Sequence, residues 1–169
     1  MLREKDLDAL AYERLAREVR EICEQNEVLL ILHHHAAVAE KMKHDHLQLS
    51  MPELQAYRKA AQHMMIGASV HSVSEALEAQ SMGAAYVIAG HVYSTDCKQG
   101  LPPRGLPFLQ QICQAVEIPV FAIGGINQSN MRDTLRCGVQ GCCIMSEAMT
   151  CSDPTEFVRS INIQHCRGA

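Results

Sequence analysis

Tyr86-Val87-Ile88-Ala89-Gly90-His91 is the stretch on which the reading of this chain turns. Four apolar residues in an unbroken row leave no polar face, which describes a strand covered on both sides, and such strands belong to parallel sheets wrapped by helices. Working outward, five more short apolar runs occur, at residues 28–32, 47–49, 64–70, 119–123 and 141–145. Between and around them lie segments of helical periodicity at 7–25, 36–43, 52–62, 74–82, 106–116, 130–137 and 154–163, several opened by Ser, Asn, Asp or Pro. Ser72-Val73-Ser74-Glu75 has capping-box spacing. Strict βα alternation predicts a parallel α/β sheet, either doubly wound or closed as a barrel. Eight βα units make a barrel of ~250 residues, whereas this chain has 169 and six clear strands, so N-terminal elements are expected to be missing.

No linker or composition shift divides the chain, and one domain over 1–169 is expected. A net charge of −4 with neither sign gathered into a run argues against nucleic-acid or membrane-surface binding. The absence of a long apolar stretch or signal-peptide core makes a cytoplasmic protein the expectation. The eight cysteines are scattered through apolar surroundings and read as reduced thiols used as small core residues.

In a parallel α/β domain the informative residues follow the strands. His91 stands where the 86–90 strand ends, and imidazole can take and give a proton near neutrality, so it is the candidate general acid/base. Gly124-Gly125 and Met145-Ser146 end the next two strands and offer exposed backbone N–H groups to a phosphate. Lys98 is a candidate anchor for an anion, flanked by Thr95 and Cys97, while Cys97 lacks an identifiable base that would make it a nucleophile. His33-His34-His35 invites a metal reading, but consecutive residues at a strand end point in alternating directions and cannot all ligate one ion. No Cys-x-x-Cys is present, and no metal site is expected.

Several segments together resemble the thiamine phosphate synthase/TenI superfamily of phosphate-binding barrels. They are Leu2-Arg3-Glu4-Lys5-Asp6-Leu7, Gly67-Ala68-Ser69-Val70-His71-Ser72, Gly90-His91-Val92-Tyr93-Ser94-Thr95-Asp96-Cys97-Lys98, Gly105-Leu106 and Ala122-Ile123-Gly124-Gly125-Ile126. The resemblance implies an α/β TIM (β/α)8 barrel lacking the first βα unit and most of the second strand. It also implies a phosphorylated thiazole as ligand, held by backbone at Gly125, Met145 and Ser146. Lys98, Thr95 and Ser69 would line the ring, and Arg3 and Lys5 match residues that face the site. A homo-oligomer is expected.

Within the superfamily, Gly90-His91-Val92 resembles the TenI branch of thiazole tautomerases, which shift a proton without metal; the synthase branch usually has Pro at that His. The synthase branch holds Mg²⁺ on an Asn-Asp pair and a further Asp, positions taken here by His33, His34 and Glu53. Neutral imidazole suits a hard cation poorly. The expected function is therefore a thiazole tautomerase with His91 as acid/base and no cofactor. The alternatives are a Mg²⁺-dependent thiamine phosphate synthase and a non-catalytic thiazole phosphate-binding protein. Glu147, beside the expected phosphate position, is compatible with an anion only if its side chain turns away.

Overall fold

A computed structural model describes residues 1–57 and 64–166, with side chains to 161. The strands are β1 (Leu32–His33), β2 (His46–Ser50), β3 (Met65–Val70), β4 (Tyr86–Gly90), β5 (Val120–Ile123) and β6 (Gly141–Cys143). The helices are α1 (Ala9–Gln25), α2 (Ala36–Lys41), α3 (Met51–Tyr57), α4 (Val73–Ser81), α5 (Gly105–Ala115), α6 (Met131–Leu135), α7 (Ser146–Thr150) and α8 (Pro154–Cys166). Strand order in the sheet follows the chain, β1-β2-β3-β4-β5-β6. A doubly wound sheet would reverse its order at a switch point; no reversal occurs.

Two compact units divide the chain, one of Met1–Val70 with Ser74–Val87 and one of His71–Val73 with the residues from Ile88 on. In the first, β1, β2 and β3 pair in parallel, Leu32 opposite Leu47 and Gln48 opposite Gly67. Leu2 adds a single parallel bridge to Leu32. Its core is built from Tyr12, Ala16, Leu32, Leu47, Leu49, Leu54 and Val70, all at most 2% exposed. In the second, β5 pairs in parallel with β6, and Leu109, Ile112, Val92 and Ala122 are fully buried.

The helices return to the strands through a recurring device. After α1, Glu27 adopts φ +54, its N–H donates to the Glu24 carbonyl and the Val28 N–H to that of Cys23. This is a Schellman closure. Lys43 and Gly83 close α2 and α4 in the same way, with the following N–H donating to Ala39 and Ala79.

The first closure corrects the sequence reading. The strand expected at 28–32 is reduced to Leu32–His33, because Val28 donates its amide to the helix end and, with Leu29, stands 58% and 60% exposed. The run 141–145 likewise yields only Gly141–Cys143, and α7 begins at Ser146. Residues 58–62 of the helix expected at 52–62 lie outside the described residues. The seven cysteines with described side chains are free, but they are not uniformly core residues: Cys137 is buried, Cys97 exposed and the other five intermediate. Among the described residues no helix is long and apolar enough to cross a membrane.

Tyr12 ties α1 to the strand layer. Its hydroxyl donates to the Leu2 carbonyl at 2.9 Å and accepts from the His33 N–H at 3.1 Å. The Tyr12→Phe protein is expected to lose about 1–3 kcal/mol of stability, the net contribution of two hydrogen bonds, seen as a lower urea midpoint at unchanged slope.

Candidate functional site

In the first unit, the polar residues at the strand ends form a connected set. Gln48 is fully buried inside β2, and its Nε2 donates to the Ser69 hydroxyl at 3.0 Å. Glu53, in the first turn of α3, accepts the Ser50 N–H at 2.8 Å and the Ser50 O–H at 2.6 Å on one carboxylate oxygen. Its other oxygen accepts from His34 Nδ1. Burial pushes the Glu53 carboxyl up, but these hydrogen bonds together outweigh it and hold the group below the ordinary carboxylate range. Arg3 and Lys5 are exposed.

The three histidines have three separate environments. His35 stacks on Tyr12 with ring centroids 3.9 Å apart. His33 is 8% exposed, edge-on to the His34 ring at 4.3 Å, and its Nδ1 has no partner among the described residues. Burial, then the positive charges of His34, Arg3 and Lys5, push its imidazole down to about 4 against the pull of Glu53.

The depressed His33 value has a sign for stability. The unfolded chain takes up this proton below about 6.5 and the folded chain resists it until about 4, so the stability it contributes is present above pH 6.5 and lost as pH falls toward 4. Urea unfolding across that window should show a decline in stability that is shallower in His33→Gln.

In the second unit, His91 is 7% exposed at the end of β4. Its carbonyl accepts from the Arg104 N–H at 3.1 Å, and the next residue's N–H donates to the Ile123 carbonyl at 3.0 Å. Its Nε2 faces the Leu101 carbonyl at 3.4 Å. A carbonyl only accepts, so Nε2 carries the hydrogen and Nδ1 is left with the lone pair. Gly124 and Gly125 adopt φ +102 and +65, Gly124 against His91 and Gly125 against Tyr93 and Ser94. Their N–H groups have no protein partner among the described residues, while the Gly125 carbonyl accepts from Asn130.

Thr95 caps the 3-10 turn Asp96–Lys98, its hydroxyl accepting from the Cys97 N–H at 3.4 Å. Cys97 and Lys98 are exposed. Met145 and Ser146 are exposed at the start of α7, and Glu147 turns aside, accepting the Gln128 N–H at 3.1 Å. The second unit thus brings His91 against Gly124. The first unit brings Ser69 to Gln48. The Ser50-Glu53-His34 set was not read as a unit from the sequence, although Ser50-Met51-Pro52-Glu53 carries its signal, the spacing at which a helical Glu reaches back to the residue before the helix.

The positions matching the superfamily's Mg²⁺ ligands do not fit that ion. His33 and His34 offer ring nitrogens, and the Glu53 carboxylate already accepts from Ser50 on one oxygen and from His34 on the other. A hard cation takes oxygen ligands with free lone pairs.

Residues 1–148 match the family model described as thiamine monophosphate synthase. The thiamine-phosphate synthase of Pyrococcus abyssi is 36% identical over 165 residues, covering 95% of this chain and 80% of the relative. That of Fusobacterium nucleatum is 34% identical over 163 residues, covering 95% and 79%. Among solved structures, the thiamine phosphate pyrophosphorylase from Pyrococcus furiosus superposes with a TM-score of 0.85 at 32% identity, covering 95% of this chain and 78% of that one.

Proposed function

Because this chain belongs to the thiamine monophosphate synthase family, we propose that it is an enzyme acting on a phosphorylated thiazole, and that its reaction is a metal-independent proton shift of the tautomerase kind. The observation that supports this is His91. Its imidazole is held at the end of β4 by the Leu101 carbonyl with Nδ1 left as a base and Gly124 packed against it, and the N–H groups of Gly124 and Gly125 have no partner among the described residues. Those amides suit a phosphate, and the positioned imidazole suits removal of a carbon-bound proton. Lys98 and Thr95 are assigned to the ring and Met145 and Ser146 to the phosphate, with Arg3, Lys5 and Ser69 as further substrate contacts and Cys97 lending only its backbone turn. No cofactor enters this reaction.

The second reading is thiamine phosphate synthesis, coupling a pyrimidine pyrophosphate to the thiazole phosphate. The relatives favour it over the proton shift, since those above carry the synthase or pyrophosphorylase name. Against it stands the chemistry of the donors: His33 and His34 offer nitrogen to a hard cation that prefers oxygen, and Glu53 already accepts hydrogen bonds on both oxygens.

One experiment separates the two. The chain is given the thiazole-carboxylate phosphate tautomer in D₂O with a chelator and followed by NMR; in parallel it is given the aromatic thiazole phosphate, the pyrimidine pyrophosphate and Mg²⁺. Conversion under chelator is the expected result. Coupling that needs Mg²⁺, with no proton shift, replaces it by the synthase reading. Calorimetric binding of the thiazole phosphate without either reaction means a binding protein.

A further inference from the structure

At the end of β5 three successive carbonyls are engaged and the three N–H groups that follow them are not. The Ile123 carbonyl accepts from the Val92 N–H at 3.0 Å, that of Gly124 from the Tyr93 N–H at 2.9 Å, and that of Gly125 from Asn130 Nδ2 at 2.9 Å. The N–H groups of Gly124, Gly125 and Ile126 have no partner among the described residues. A trans peptide is planar and sets its N–H opposite its C=O. Each engaged carbonyl therefore turns the next residue's N–H away from the group that anchors it. A run of free backbone N–H groups held in a turn is a site for an anion.

Two of these anchors are backbone groups just past β4; the third is a side chain, that of Asn130. It stands at the N-cap position of α6, where an asparagine ordinarily accepts from the first N–H groups of its own helix. It makes no such bond. Its Oδ1 accepts instead from the Asn127 N–H at 2.9 Å, while its Nδ2 donates to Gly125. These two partners fix the amide's orientation, because a flipped side chain would set donor against donor and oxygen against oxygen. One amide thus clamps the backbone on both sides of Ile126, which is 5% exposed. Gly125 holds φ +65, and a Cβ there would lie against the Ser94 carbonyl oxygen and 2.8 Å from the Tyr93 Cβ, so the clamped turn sits tight on the end of β4. A turn fastened for its own stability engages donors as readily as acceptors; here the fastening is one-sided and leaves the donors open.

We propose that Asn130 is a positioning residue for the substrate phosphate: by holding the Gly125–Ile126 peptide it keeps the N–H groups of Gly124, Gly125 and Ile126 in the orientation that receives the anion. This rests on the reading that places the phosphate at Gly124 and Gly125. Asn130 acts through the peptide and not on the reacting carbons, so its effect falls on binding. Without the clamp the Gly125–Ile126 peptide is free to rotate, and rotation brings the carbonyl, with its partial negative charge, to the place of the N–H. Apparent affinity then falls by the fraction of the population that keeps the competent orientation.

The test titrates inorganic phosphate and the thiazole phosphate into isotope-labelled wild type, Asn130→Ala and Asn130→Asp, followed by NMR. Asn130→Ala removes the clamp without adding charge. The near-isosteric Asn130→Asp keeps the acceptor for the Asn127 N–H, which guards against a folding defect, but sets an oxygen against the Gly125 carbonyl. In both, the Kd for phosphate and the KM are expected to rise about 10-fold, as for a turn that is competent about a tenth of the time. The kcat should stay within about threefold of wild type, the pattern of lost binding. In wild type, phosphate should shift the Gly124, Gly125 and Ile126 amide resonances, and before its addition one Asn130 side-chain amide proton should exchange slowly with solvent. Phosphate affinity and KM at the wild-type level in both variants overturn the proposal, as does a loss of kcat as large as the rise in KM, which marks a general loosening of the β5 end. A fast-exchanging Asn130 amide in wild type overturns the clamp, whatever the variants do. Wild type whose Gly124 and Gly125 amides do not respond to phosphate removes the reading on which the proposal rests, and that result is seen before any variant is made.

Discussion

His91→Ala is expected to slow the proton shift by about 10²- to 10⁴-fold, the usual contribution of a positioned acid/base, while leaving affinity for the thiazole phosphate within a small factor of wild type. The separation follows from what each group does. The imidazole supplies the base at Nδ1, whereas the anion is assigned to backbone N–H groups of Gly124 and Gly125, which the substitution does not remove. Residue 91 is also held by its backbone, through the Arg104 N–H to its carbonyl, so alanine inherits the same path of the chain. Turnover by NMR, calorimetry for the phosphate and a urea midpoint measure the three quantities independently. Retained turnover in a folded variant would remove His91 from the reaction.

Gly124→Ala carries an effect of similar size by a different route. A Cβ at this position would lie 2.4 Å from the His91 Cβ and 2.7 Å from its Cα, so relief requires a shift of backbone and not of a flexible side chain. The position also holds φ +102, which an alanine adopts only under strain. Both costs are relieved by moving the β4 end away from β5, and that displaces the imidazole. A misplacement near 1 Å costs on the order of 10²-fold in rate, and a strained φ costs about 1–3 kcal/mol of stability. The variant should therefore lose both turnover and several degrees of Tm, in contrast to His91→Ala, which should lose turnover with a smaller change in stability. An active, undiminished Gly124→Ala would show that the close approach of β4 and β5 does not position the base.

The order of elements was legible because the strands fall in or beside short apolar runs and the helices are amphipathic; Tyr86–Gly90 is buried throughout, as its composition demands. Boundaries were less legible where a backbone device overrides composition. Val28 and Leu29 look like strand residues, yet the helix closure at Glu27 claims the Val28 amide and leaves both side chains exposed. In the candidate site, His91 and the two glycines could be chosen from position alone, since strand ends are where such sites lie. The His34-Glu53 pairing could not, because it joins residues from two separate βα units through a side-chain contact that no local spacing reveals. Gln48 was hidden for another reason: flanked by Leu47 and Leu49, it reads as part of an apolar strand, and only the structure shows its buried Nε2 donating to Ser69 while its Oε1 has no partner among the described residues.

The uneven burial of the thiols provides a built-in attachment point. Burial pushes Cys142 up to about 12 and Cys143 to about 11, and raises Cys113 and Cys137 as well, so at neutral pH these four stay protonated and unreactive toward alkylating reagents. Cys97 is exposed, and it sits in the turn that carries Thr95 and Lys98. With Cys23, Cys151 and Cys166 replaced by serine, a maleimide-linked fluorophore or nitroxide would therefore label that turn ahead of these four thiols, and its signal would report whether the segment bearing Lys98 orders when a phosphorylated ligand is added.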